Sequence, residues 1–169
     1  MQLATEKIAG DVMVRFKAVL TERLSQRYPR HKVDTMVAML SKVPCKAQLA
    51  HTDLTPETLT NVLLPADDDK MPLACLVAFT DGTVLDVWPG AIRFDSSRKF
   101  KPMQVHLRAG DVLIFRGDLV HAGAALLVGN VENVRIHAYL DAEGMARPKH
   151  DDGVEMTHFM CHAKHILKR

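Results

Sequence analysis

His51 and Asp53 stand two positions apart in Ala50-His51-Thr52-Asp53-Leu54, directly after the strand-like run KAQLA. In extended backbone, side chains two apart project to the same side, so this imidazole and this carboxylate can reach a common point. A third candidate, His121, follows a turn and a strand in LRAGDVLIFRGDLVHAGAA, with enough chain in between for several strands to return to the same mouth. Two imidazoles and one carboxylate on one face leave the opposite positions of an octahedral metal open. A chelating cosubstrate and O2 can then bind side by side, whereas a closed set of four ligands suits structural zinc.

Arg135, in NVRIHAYLD, adds an anion-binding group. On a strand, Arg135, His137 and Tyr139 face one way and Ile136, Ala138 and Leu140 the other. A guanidinium turned inward beside a metal mouth is costly unless it meets an anion, and its planar donor fork matches a carboxylate. Plainer readings stand beside these. His51 and Asp53 can form a hydrogen-bonded pair closing a strand end, His121 can be a satisfied core or rim histidine, and Arg135 can pair with Asp53 or Glu132.

The elements that must position these residues are short. VDTMVAML, KAQLAH, PLACLVAF, TVLDVW, QVHL, DVLIF and VRIHAYL are strand-length and rich in apolar or β-branched residues. Asp81-Gly82 between LVAFT and TVLDVW is a two-residue hairpin signal, with further turns at Ala109-Gly110-Asp111 and Arg116-Gly117-Asp118. Many short strands at close spacing predict a mainly β sandwich or barrel, a jelly roll among the options, and leave little room for the helices of a βαβ design. Before them, Ile8, Val12, Phe16, Val19, Leu20 and Leu24 recur at helical steps, predicting an N-terminal helix over about 5–28 that Pro29 ends. TPETLTNVLL (55–64) reads as one or two helical turns, and EMTHFMCHAKHILKR as a short C-terminal helix after a polar loop.

The whole is expected to be one domain, 1–169, with a β core over about 33–141 and a C-terminal loop and helix over 142–169. Hydrophobic residues make up 47% and charged residues 25%, ordinary for a globular chain. The formal net charge of +2 gives no indication of a nucleic-acid surface. No apolar run approaches a membrane span, no secretory signal is apparent, and Cys45, Cys75 and Cys161 are odd in number and far apart. A soluble intracellular protein, cytoplasmic or nuclear, with free thiols is the expectation, and nothing in the sequence fixes its oligomeric state.

HTD, then GDVLIFRGDLVHAG, then Arg135 on the next strand resembles the His-X-Asp…His…Arg pattern of the Fe(II)/2-oxoglutarate-dependent oxygenase superfamily, over about residues 45–141. VLDVWPGAIRF is also similar to the strand-and-turn that carries Pro-Gly-Ser-His in phytanoyl-CoA hydroxylase-like members, with Ala91 and Ile92 where Ser and His would stand. The resemblance implies a double-stranded β-helix and Fe(II) on His51, Asp53 and His121. It implies 2-oxoglutarate chelating the iron with its far carboxylate on Arg135, and O2 oxidising an unidentified organic substrate by hydroxylation or demethylation. The spacing from Gly110 to His121 is also similar to the second cupin motif, with Arg116 where Pro is usual, so a cupin-like metal protein or an inactive binding module is the alternative.

Several further residues are candidates for the pocket. His137 shares the face of Arg135 and can touch a metal ligand from behind or the substrate. Trp88 can wall the mouth or pack in the core, Arg93 can meet an acidic group or stay solvated, and His106 can line the pocket or face solvent. His158, His162 and His165 share one helical face and are read as a polar surface rather than a metal site.

Overall fold

The computed structural model describes residues 2–54, 70–91, 99–126 and 132–145. The helical turns expected at 55–64, the C-terminal helix with its histidines and Cys161, and Arg93 lie outside them. Among the described residues there is one helix, α1 (Gln2–Ser25), and seven strands: β1 (His31–Lys42), β2 (Leu73–Ala78), β3 (Thr83–Val87), β4 (Met103–Leu107), β5 (Val112–Arg116), β6 (His121–Gly123) and β7 (Glu132–Ala142). They form two antiparallel sheets, β1-β7-β2-β5 and β4-β3-β6, a double-stranded β-helix or jelly roll as expected.

Strand order follows from how the chain changes sheets. β1 lies in the larger sheet, β2 returns to it, β3 and β4 build the smaller one, and β5, β6 and β7 then alternate between the two. Asp81-Gly82 does form a tight turn, with Gly82 at φ 78°, a conformation that favours glycine. It is not a hairpin, however. β2 pairs with β5 and β7 while β3 pairs with β4 and β6, so the turn carries the chain from one sheet to the other. The local signal specifies a reversal of direction, and which neighbour each strand meets afterwards is a matter of burial.

β2 is buried on both faces. Leu76, Ala74 and Ala78 pack between the sheets with Leu85, Val87, Leu107 and Phe115. Cys75 and Val77 face outward beneath α1, where Leu20 and Leu24 join Val33, Ala138 and Leu140. A register shift between Val33 and Met36 in β1 lets both of those residues point toward the helix. Fully burying a side chain such as Leu76 contributes about 1.5–3 kcal/mol, so the two clusters hold the sheets at fixed separation. α1 ends three residues before the predicted bound, and its buried stripe, Phe16, Leu20 and Leu24, is narrower than the periodicity implied, since Val12 and Val19 stay exposed.

Candidate metal centre

KAQLAH is not a regular strand. Residues 45–51 run along the free edge of β6, joined by isolated bridges at Cys45–Leu126 and His51–His121. His51 and His121 exchange both backbone hydrogen bonds at 2.9 Å, and Gln48 N–H donates to the Gly123 carbonyl, also at 2.9 Å. This pairing brings the two histidine positions together across the whole middle of the chain. Leu54, anchored through its N–H on the Gly117 carbonyl, then turns Asp53 inward.

His51, Asp53 and His121 each offer one ligand atom, and these atoms lie within 4.8 Å of one another. Both imidazoles are oriented in the same way: His51 Nδ1 lies 2.8 Å from the Leu49 carbonyl and His121 Nδ1 3.0 Å from that of Leu119. A carbonyl can only accept, so each Nδ1 carries the proton and each Nε2 keeps its lone pair for the space beside Asp53. His121 Nε2 is 3.7 Å from Asp53 Oδ1. Neither oxygen of this buried carboxylate receives a well-formed hydrogen bond among the described residues. A donor set of two imidazole nitrogens and one carboxylate oxygen with that tautomer fits a divalent transition metal.

The electrostatics agree. Burial by itself pushes the Asp53 carboxyl up, but His137, His121 and His51 around it outweigh that and hold it well below the usual carboxylate range. Burial drives His121 down to about 4 against the opposing pull of Asp53. At neutral pH the pair is therefore an ionised aspartate beside a neutral imidazole, the protonation state a metal ligand set needs.

Strand parity in β7 is as the sequence implied. Arg135, His137 and Tyr139 point between the sheets, while Ala138 and Leu140 join the outer cluster. Arg135 Nη1 donates to Ser41 Oγ (3.0 Å) and Asn133 Oδ1 (2.9 Å). Both acceptors are neutral. The ion pair with Asp53 or Glu132 weighed from the sequence is not found among the described residues, because Glu132 pairs with Lys42 at the surface and Asp53 faces imidazoles. Burial lowers the Arg135 pKa, with Cys45 opposing. Beside it Gly123 permits a close approach: a Cβ there would lie 2.6 Å from Gln48 Oε1 and 3.2 Å from Arg135 Nη2, so both side chains pack against its backbone.

Three other candidates fare differently. His137 lies against the cluster, its Nε2 3.3 Å from Asp53 Oδ2. His106 lies away from it, paired with Val84 on the outer face of the smaller sheet and exposed. Trp88 is half-buried, donates its backbone N–H to the Val120 carbonyl, and makes none of the ring contacts that link the imidazoles. Phe115 fills that role instead, its ring edge-on to His121 at 4.8 Å. Ser41 and Asn133, which accept from Arg135, are not among the residues singled out from the sequence. The only signal for them is strand parity with Arg135 across a pairing that local sequence does not specify, Asn133 on its own strand and Ser41 opposite Asn133.

Comparison with solved structures shows the same fold. The non-heme alpha ketoglutarate dependent epimerase SnoN, from nogalamycin biosynthesis, superposes with a TM-score of 0.63 at 17% identity, covering 87% of this chain and 63% of its own. AviO1 from Streptomyces viridochromogenes Tue57 gives 0.60 at 15%, covering 76% and 59%. HygX from Streptomyces hygroscopicus gives 0.57 at 14%, covering 82% and 70%. The chain thus spans less than two thirds of the length of the first two. No protein-family model matches the sequence, and no curated protein does. No helix among the described residues is long and apolar enough to cross a membrane.

Proposed function

We propose that this chain is a non-haem Fe(II)- and 2-oxoglutarate-dependent dioxygenase, with iron held by His51, Asp53 and His121 and cosubstrate by Arg135. The observation that carries this reading is the convergence of three ligand atoms within 4.8 Å, both imidazoles presenting Nε2. Neighbours of the same fold support the ligand class: HygX was crystallised with nickel and 2-oxoglutarate, and SnoN with Fe3+, alpha ketoglutarate and nogalamycin RO. The distant likeness to phytanoyl-CoA hydroxylase-like enzymes is supported by the sequence alone.

The iron, when bound, supplies O2 activation coupled to oxidative decarboxylation of 2-oxoglutarate, one oxygen atom going to succinate and the other to the organic substrate. The chain's own residues supply geometry and charge. The carbonyls of Leu49 and Leu119 hold the imidazoles in the ligating tautomer. The strand bridge between His51 and His121 fixes their separation without relying on the metal. Arg135, supported by Ser41 and Asn133, offers its remaining donors to the far carboxylate of the cosubstrate. Phe115, with Leu76 and Leu85 in the same cluster, keeps water from one side of the centre. The substrate is an organic molecule to be hydroxylated or demethylated, and its recognition rests with the loops around the mouth.

Anaerobic titration of the apoprotein with Fe(II), then 2-oxoglutarate, tests the proposal by visible absorption. A weak charge-transfer band should appear only with both and be lost in His121→Ala and Arg135→Ala. Iron binding without a band would point to a cupin-like metal protein that does not use 2-oxoglutarate. Absence of iron binding would leave a binding module.

A further inference from the structure

Three imidazoles face Asp53, yet only two belong to the ligand cluster. The third, His137, approaches the carboxylate from the opposite sheet. Its Nε2 lies 3.3 Å from Oδ2, whereas Oδ1 is the oxygen turned toward His121 Nε2 at 3.7 Å. The two oxygens therefore look in different directions, one into the cluster and one onto β7.

His137 has little freedom to move. Its strand is flanked on both sides, with His137 opposite Val37 of β1 and Leu76 of β2, so shifting its backbone would break two ladders. Its ring packs edge-on to Tyr139 at 4.9 Å and lies parallel to His121 at 6.3 Å, with Phe115 6.2 Å away. A rigid strand thus presents a ring nitrogen to one oxygen of a buried carboxylate.

We propose that His137 is a positioning residue that makes Asp53 a one-oxygen ligand: with a divalent cation on Oδ1, its Nε2–H turns the 3.3 Å approach to Oδ2 into a hydrogen bond and withholds that oxygen from the cation. This inference rests on the metal-centre reading above. A carboxylate with both oxygens available can chelate a cation and take up a second coordination position, one that a bidentate cosubstrate needs. A hydrogen bond to the outer oxygen removes that option and orients the inner one. His137 thereby protects the open side of the centre without ligating anything.

The test uses metal alone. In wild-type protein with 15N-labelled histidines and Zn(II) bound, long-range nitrogen–proton correlation should show His51 and His121 coordinated through Nε2 and His137 with its proton on Nε2. A zinc-bound Nε2 on His137, or a proton on Nδ1 only, would overturn the proposal. In parallel, Co(II) titration of His137→Phe, which keeps a ring but no donor, should show affinity lowered about 10–100-fold and an altered d–d absorption spectrum. His137→Gln, which restores an N–H at similar reach, should recover the wild-type spectrum. A Phe variant indistinguishable from wild type, or a Gln variant no better than Phe, would remove His137 from this role while leaving the metal centre intact. Failure of the wild-type chain to bind either metal would remove both readings together.

Discussion

His51 and His121 exchange both of their backbone hydrogen bonds at 2.9 Å, and their rings lie 4.5 Å apart. Two candidate metal ligands are thus directly opposed residues of an antiparallel pair, so their separation is set by backbone geometry before any ion arrives.

Removing either the carboxylate or the distal imidazole should abolish metal binding. Asp53→Ala and His121→Ala are expected to retain no stoichiometric Fe(II) after desalting and to form no succinate. Metal content and succinate yield are the measurements, and a normal yield from either variant would sink the ligand assignment.

Arg135 should act on the cosubstrate and not on the metal. Arg135→Lys keeps a charge but loses the planar fork, and is expected to cost about 1.5–3 kcal/mol in 2-oxoglutarate affinity with Fe(II) affinity unchanged within a few-fold. Calorimetric titration of the metal-loaded protein reads this directly. Equal affinity in the two proteins would assign Arg135 to structure alone.

Gly123→Ala tests the close packing beside that guanidinium. The new methyl would meet Gln48 Oε1 and Arg135 Nη2, both ends of flexible side chains that can give way, but the Gly123 N–H bond to Gln48 at 2.8 Å would suffer. Stability should fall by only about 1 kcal/mol, in line with one lost hydrogen bond. Weaker 2-oxoglutarate binding should accompany it. A denaturant melt and the same calorimetry separate the two effects.

Acid should destabilise the apoprotein through the centre itself. His121 has its pKa depressed from 6.5 to about 4 by burial, so the unfolded chain binds more protons than the native one across that window. The stabilisation is complete above about pH 6.5 and is lost as pH falls toward 4, amounting to at most about 3 kcal/mol. Asp53, also depressed, continues the loss below the usual carboxylate range. Urea unfolding of wild type and His121→Phe from pH 7 to 4 should show a smaller pH dependence in the variant.

His106→Ala serves as the contrast. It is exposed on the outer face of the smaller sheet, away from the imidazole cluster. Stability should change by no more than about 0.5 kcal/mol, and metal and cosubstrate binding should match wild type. A binding defect in this variant would mean the site reaches further than the cluster described.

What the sequence determined by itself is local. The two-residue step from His51 to Asp53, the alternation that sends Arg135, His137 and Tyr139 to one face of β7, the reversal at Gly82 and the end of α1 near Pro29 all follow from backbone periodicity and the φ preferences of single residues. Tertiary structure decided which strands meet. Asp81-Gly82 reads as a hairpin until β2, buried on both faces, takes its place between β5 and β7 in the larger sheet. KAQLAH reads as a strand until its single bridges to the edge of β6 are seen, and His106, which the sequence leaves between pocket and solvent, is placed in solvent by its pairing with Val84 on the outer face. His137 facing Asp53 required the two sheets to close on each other, a contact between residues far apart in the chain. Local geometry is fixed by the sterics of neighbouring residues. Strand partnership depends on which faces must be buried together, a property of the whole chain that no short stretch of it contains.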